Sequence, residues 1–203
     1  MTKKVNIFDE VSNDAGSRIR SRDWYTAKIQ ELRGRGLVTK EKIMSYKEIA
    51  TSKLEIGSMY MFVYNAKHKE TLPYWDTFPL VLPFSRSGHM VTGFNLHYLP
   101  ANVRWALLKT LLKNQDIASI RRLSNSTKMK MDYSTLKAST HIPLLKPTIH
   151  SYLFDHIIPV RGGMYLKIPP VDWHLTVLLP VQDFRSNGSK IQATTVWKDS
   201  LAG

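Results

Sequence analysis

The strongest constraint on this chain's fold lies in residues 73–100. Two apolar runs there, Phe78–Phe84 and His89–Tyr98, are joined by only Ser85-Arg86-Ser87-Gly88. A link this short forces the runs antiparallel, so they predict a β-hairpin. Pro79 and Pro83 have no amide to donate, which predicts an edge position or irregular ends for the first run. A hairpin cannot bury its apolar faces alone, so other segments must join it. Residues 57–67 are rich in β-forming side chains and run into the polar turn Asn65–Glu70. Residues 162–170 and 173–181 are short apolar runs bounded by Gly and Pro. Together these predict one small curved antiparallel sheet or an open barrel.

Helical spacing accounts for most of the rest. Residues 17–32 predict a helix with Ser17 as N-cap and Ile19, Trp24, Ala27 and Leu32 on a shared face. Two glycines in Arg33-Gly34-Arg35-Gly36 end it. In 100–114, Val103, Leu107 and Leu111 form a stripe widened by Ala106 and Leu108, and Pro100 suits the entry. Asp132 is placed to cap a short helix reaching Ala138, and 147–157 predicts another with proline near its start. The order of helix, strands, helices and strands predicts an α+β fold with inserted helices. Residues 1–53 read as a basic N-terminal helical arm. Residues 54–203 read as the core domain, with strands in 57–99 and 162–181 and a helical excursion over 100–157.

The 203 residues carry 29 Lys and Arg against 16 Asp and Glu, a net charge of +13. A surplus of this size creates a long-range positive field suited to a polyanion or to an acidic protein surface. It is unevenly spread: residues 1–53 hold twelve cations and seven acids, and residues 101–150 hold nine and two. Within the first segment, Arg18, Arg20 and Arg22 alternate beside Trp24 and Tyr25. Arginines suit phosphates and aromatics suit unstacked bases, so Arg18, Arg20, Arg22 and Tyr25 are candidate nucleic-acid contacts, while Trp24 reads as a core anchor. Arg33 and Arg35 join them, because neighbouring glycines allow close approach to a phosphate backbone. Arg121, Arg122, Lys128 and Lys130 form a second candidate stretch. Arg161-Gly162-Gly163 reads as a turn.

Several chemistries are absent. No cysteine is present, which excludes disulfides, thiolate metal sites and cysteine nucleophiles. His68, His89, His97, His141, His150, His156 and His174 fall into no metal-ligand spacing, and no phosphate-binding glycine motif or GxSxG elbow occurs. Asp76 is the acid best placed for a metal-dependent nuclease, but turn capping explains it equally well. No signal-peptide core and no apolar run of membrane-spanning length is found. The expectation is a non-enzymatic protein without cofactor, metal, membrane partner or small-molecule substrate.

The run 59–100 is similar to a pattern in proteins of contractile-tailed phages. Leu72–Asp76 (LPYWD) is followed by Phe78–Leu82 (FPLVL) and then Gly93–Pro100 (GFNLHYLP). Tyr165–Trp173, the LLPVQDF of 178–184 and Val196–Ser200 extend the likeness. The chain thus resembles the DNA end protector protein family. That resemblance implies a virion protein, made in the host cytoplasm, that binds the double-stranded end of the packaged linear genome and shields it from host exonuclease. The alternative is a structural component of neck, tail or baseplate whose basic face meets other virion proteins.

Overall fold

Asn6 opens the first helix by accepting the Phe8 amide on its side chain, and Ile7, Phe8, Val11 and Ala15 then bury one face of α1 (Ile7–Ala15). The computed structural model describes residues 6–16, 19–113 and 137–202. Helix α2 (Arg22–Gly34) starts later than expected. Ser21, in extended conformation, takes the Trp24 amide at 3.2 Å and acts as the N-cap; Ser17 lies outside the described residues. The buried face is Tyr25, Ile29 and Leu32, turned away from the expected one: Trp24 is half-buried, and Ile19 and Ala27 are exposed. The glycine stop holds, with Gly34 as the last helical residue and Gly36 at φ 68°. The short helix α3 (Lys40–Met44) follows, capped by Thr39.

Eleven strands are described: β1 (Ala50–Thr51), β2 (Met59–Met61), β3 (Val63–Tyr64), β4 (Trp75–Asp76), β5 (Leu80–Ser87), β6 (Met90–Asn95), β7 (Ile149–Leu153), β8 (Ile157–Ile158), β9 (Tyr165–Ile168), β10 (Phe184–Ser186) and β11 (Ser189–Ile191). The main sheet has the order β1-β9-β2-β5-β6-β7, with antiparallel neighbours throughout. Smaller sheets, β11-β10-β4 and β3-β8, complete an open α+β arrangement that does not close into a barrel.

Both faces of the main sheet are covered, and the two-residue period decides which side chain goes where. Met59, Met61, Leu80, Leu82, Leu166 and Ile168 join the principal core with the helices. Tyr60, Phe62, Val81, Tyr152 and Tyr165 fill a second, aromatic core on the other side. Residues of α1, α2 and α3 belong to the principal core, and β1 pairs with β9. The segment expected as an arm therefore shares its apolar contacts with the rest.

The hairpin forms as β5 and β6, but β5 is central rather than at an edge. A register shift between Pro83 and Ser85 lets the proline sit there, since a bulge removes the need for its missing amide. The bulge presses on β6 at Gly93, where a Cβ would lie 2.6 Å from Val81 and 2.7 Å from the Leu82 carbonyl. Only glycine fits at that position.

Two elements change type. Residues 149–153, expected within a helix, form β7 because the free edge of β6 offers a ladder from Met90 to Phe94. Residues 173–181, expected as a strand, open with the short helix α5 (Trp173–Thr176). All four of its residues, His174 and Thr176 included, are buried, and a run buried on every side gives no period from which to tell strand from helix. Helix α4 (Ala101–Lys113) forms as expected but rotated: Arg104, Trp105, Leu108, Leu111 and Leu112 are buried, Val103 and Leu107 are half-buried, and Ala106 is exposed. The helix proposed from Asp132 lies largely outside the described residues. Helix α6 (Ala193–Ala202) closes the chain.

Candidate nucleic-acid interface

The ends of α1 and α2 meet at one corner. The Arg20 Nε donates to the Ala15 carbonyl at 3.1 Å, a favourable place for a cation because the last carbonyls of a helix carry partial negative charge. Its guanidinium lies 5.7 Å from the centre of the Trp24 ring. One turn later Tyr25 points inward. Its ring stacks on His174 of α5 at 6.3 Å and 13°, and meets Trp105 of α4 at 5.8 Å. Three helices thus converge beneath the start of α2, and a cleft of about 1110 Å³ opens between them. Arg20, Arg22, Trp105, Lys109 and His174 line it, together with Asp23. Arg22 keeps a 3.5 Å ion pair with the exposed Asp23; no carboxylate partner is found for Arg20 or Lys109 among the described residues.

His174 is unusual in this wall. It is 6% exposed, makes ring contacts with Tyr25 and Trp105, and has no hydrogen-bond partner among the described residues. Burial, reinforced by the Lys109 charge, pushes its pKa down to about 4. It is therefore a neutral imidazole at ordinary pH, available to donate or accept toward the cleft.

The candidate residues separate sharply. Arg20 and Arg22 reach the cleft. Tyr25 does not: at 3% exposure it is a core ring, with its faces taken by protein, so it offers no platform to a base. Trp24 packs, half-buried, against the principal core as expected, but Tyr25 is the deeper anchor, because the helix begins at Arg22 and its inward face is fixed from there. Arg33 is exposed at the far end of α2. Arg35 is occupied by Glu10 and by Glu31 at 3.4 Å, and Lys28 beside it by Asp14 at 2.7 Å and Glu31 at 2.8 Å. Arg18, Arg121, Arg122, Lys128 and Lys130 lie outside the described residues. Gly162 and Gly163 turn the chain between Val160 and β9, bridging Val160 to Gly163.

Lys109, Trp105 and His174 were not candidates from sequence. Trp105 and Lys109 sit one turn apart on α4, a spacing visible in the sequence; His174 carried no signal, because its position depends on α5 being a helix.

Asp76 is a structural acid. It is 3% exposed and accepts the Phe78 amide at 3.0 Å, Asn95 Nδ2 at 3.2 Å and His97 Nδ1 at 2.8 Å. Burial acts to raise its pKa, but the His97 interaction and the other donors outweigh it and hold the carboxyl below its usual range. The LPYWD and GFNLHYLP motifs meet in this knot, where Asn95 also accepts the His97 amide at 3.1 Å. Arg104 is likewise buried. Its pKa is lowered to about 10 by burial, with Asp76 partly offsetting this, and Nε and Nη1 have no partner among the described residues. Among those residues no cluster of three or more His, Asp or Glu is arranged to hold a metal ion, and no helix is long and apolar enough to cross a membrane.

No curated protein and no solved structure matches the chain. A family model does: that of the phage T4 terminal DNA protecting protein, over residues 4–200. The match runs from before α1 through most of α6 and so takes in the sheet, the buried Asp76 knot and the cleft. The chain therefore belongs to the phage T4 terminal DNA protecting protein family.

Proposed function

We propose that this protein binds the end of a packaged linear phage genome and shields it from exonuclease. The carrying observation is membership of a terminal DNA protecting family over nearly the whole chain. The net charge of +13 supports it, as does the cleft holding Arg20, Arg22 and Lys109. Basic side chains around a concave site supply phosphate affinity without sequence readout. Protection then follows from occupancy: a bound protein denies a nuclease the terminus. The protein acts as a virion component made in the host cytoplasm, and its role is steric rather than catalytic. The burial of Asp76 supports that last point, because a carboxylate enclosed by four donors, the Phe78 and Asp183 amides, Asn95 and His97, has no open face for a catalytic cation.

The test is competition and protection. Linear duplex should displace a labelled linear probe better than the same DNA closed into a circle. An end-specific exonuclease should be slowed on linear DNA in proportion to bound protein. Affinity should fall on the order of tenfold or more between 50 and 200 mM salt for several phosphate contacts. Equal competition by circular DNA would remove the end-binding claim, and cleavage of labelled DNA with Mg²⁺ or Mn²⁺ would remove the steric one.

A further inference from the structure

We propose that the cleft between the start of α2 and α4 seats the terminal phosphomonoester of a DNA strand with its nucleotide, so that the protein reads an end by its phosphate. This deepens the end-binding function and rests on it.

The geometry carries the assignment. Arg20, Arg22 and Lys109 come to one concavity from two helices and the link before α2. Arg20 is held by its Nε on the Ala15 carbonyl, which leaves both terminal guanidinium nitrogens for a ligand. Ser21 takes the amides of Trp24 and Tyr25 through its hydroxyl and carbonyl oxygens, so the Arg22 and Asp23 amides remain at the positive end of the helix. His174, nine-tenths buried and without a hydrogen-bond partner among the described residues, contributes a ring nitrogen from the wall. Its ring stays held between Tyr25 and Trp105, so a ligand oxygen would meet a donor or acceptor that is already positioned.

The chemistry selects a terminal phosphate over an internal one. A phosphodiester offers one charge and two free oxygens. A phosphomonoester offers three oxygens and a charge of about −1.5 to −2 at pH 7, matching several cations and a neutral imidazole. The volume, about 1110 Å³, exceeds the roughly 300–1,000 Å³ typical of small-ligand pockets and admits a nucleotide as well as its phosphate. Asp23 lines the same cleft and pairs with Arg22; an arriving phosphate would displace it.

The experiment uses the full-length protein and blunt duplexes alike except at the terminus: 5′-phosphate, 3′-phosphate or hydroxyl at both. A phosphorylated duplex should bind roughly tenfold tighter than the hydroxyl one, the size expected of charge-assisted hydrogen bonds. Whichever phosphate is preferred supports the proposal and names the strand end. The preference should vanish in the exposed-site pair Arg22→Ala with Lys109→Ala and should grow in Asp23→Asn. Equal binding of all three duplexes, with linear DNA still preferred over circular, would overturn this site while leaving end binding intact. Loss of the linear preference itself would instead remove the function on which the site rests. A phosphate preference that survives in the paired variant, shown to be folded by circular dichroism, would also overturn the proposal.

Discussion

The two ends of α2 carry the same sequence signal and different physics. At the amino end, Arg20 and Arg22 precede a buried ring, and the structure sets them on a cleft where Asp23 alone answers them. Toward the carboxyl end, Arg35 and the mid-helix Lys28 are matched by Glu10, Asp14 and Glu31, drawn from α1 and from α2 itself. The Lys28 ammonium is raised above its usual pKa, first by its bond to Asp14 and then by Glu31. Formal charge is therefore a poor guide to available charge. A cation already holding two carboxylates has little left for a phosphate, whereas one beside an unpartnered wall has most of its field free.

The comparison can be tested first at its foundation. Tyr25→Ala should cost about 3–5 kcal/mol in denaturant unfolding, as expected for removing a large buried ring, because it takes away the floor shared by Trp105 and His174. A loss under about 1 kcal/mol would mean that the amino end is not built on this stack.

The same foundation is pH-sensitive. Asp172 adjoins Trp173 and His174 and hydrogen-bonds Ser12 of α1 at 2.8 Å. Burial raises its pKa to about 7, the Ser12 bond opposing and the Asp9 charge reinforcing the rise. A carboxyl raised in the folded state favours folding below its unfolded value, near 4, and that contribution is lost as pH climbs through about 7. Wild type should therefore lose stability between about pH 4 and 7 by about 2–4 kcal/mol on this account. Asp172→Asn should lack that slope in urea titrations at several pH values. Parallel curves for the two proteins would show that the carboxyl does not stay buried and protonated.

Next comes DNA affinity, the direct contrast between the ends. Arg22→Ala with Lys109→Ala should weaken binding to linear duplex by roughly tenfold or more and lower the slope of log affinity against log salt by about 2. Arg35→Ala should stay within about twofold of wild type in both measures, since a paired rim cation adds little. Similar losses in the two variants would erase the distinction between the ends.

The smallest effect is at the ion pairs themselves. Lys28→Met should change stability by less than about 1 kcal/mol, because its partners Asp14 and Glu31 are half exposed and screened by water, and ordering long side chains costs entropy. A larger loss by thermal unfolding would make the carboxyl end a structural clamp.

Much of this molecule was legible in the sequence where the signal was local. Helix α4, the hairpin of β5 and β6, the glycine stop after α2 and the strand character of 165–168 depend on spacing, turn residues and backbone chemistry within a few positions. The cap of α2 is Ser21, four residues beyond the expected Ser17. The helix then started late, and its inward face turned from Trp24 to Tyr25. The site was half legible: Arg20 and Arg22 were visible as alternating arginines, but Lys109, Trp105 and His174 were not.

By itself, the sequence determined the α+β class, the strongly positive charge, the absence of thiol chemistry and, through the LPYWD and GFNLHYLP motifs, the family. Tertiary structure alone decided that 149–153 is a strand and 173–176 a helix, because an open sheet edge and complete burial outweigh weak local preference. It also decided which cations are free. The pairs of Lys28 with Asp14 and of Arg35 with Glu10 depend on α1 lying against α2, and the cleft exists only where three helices meet; neither is a property of neighbouring residues.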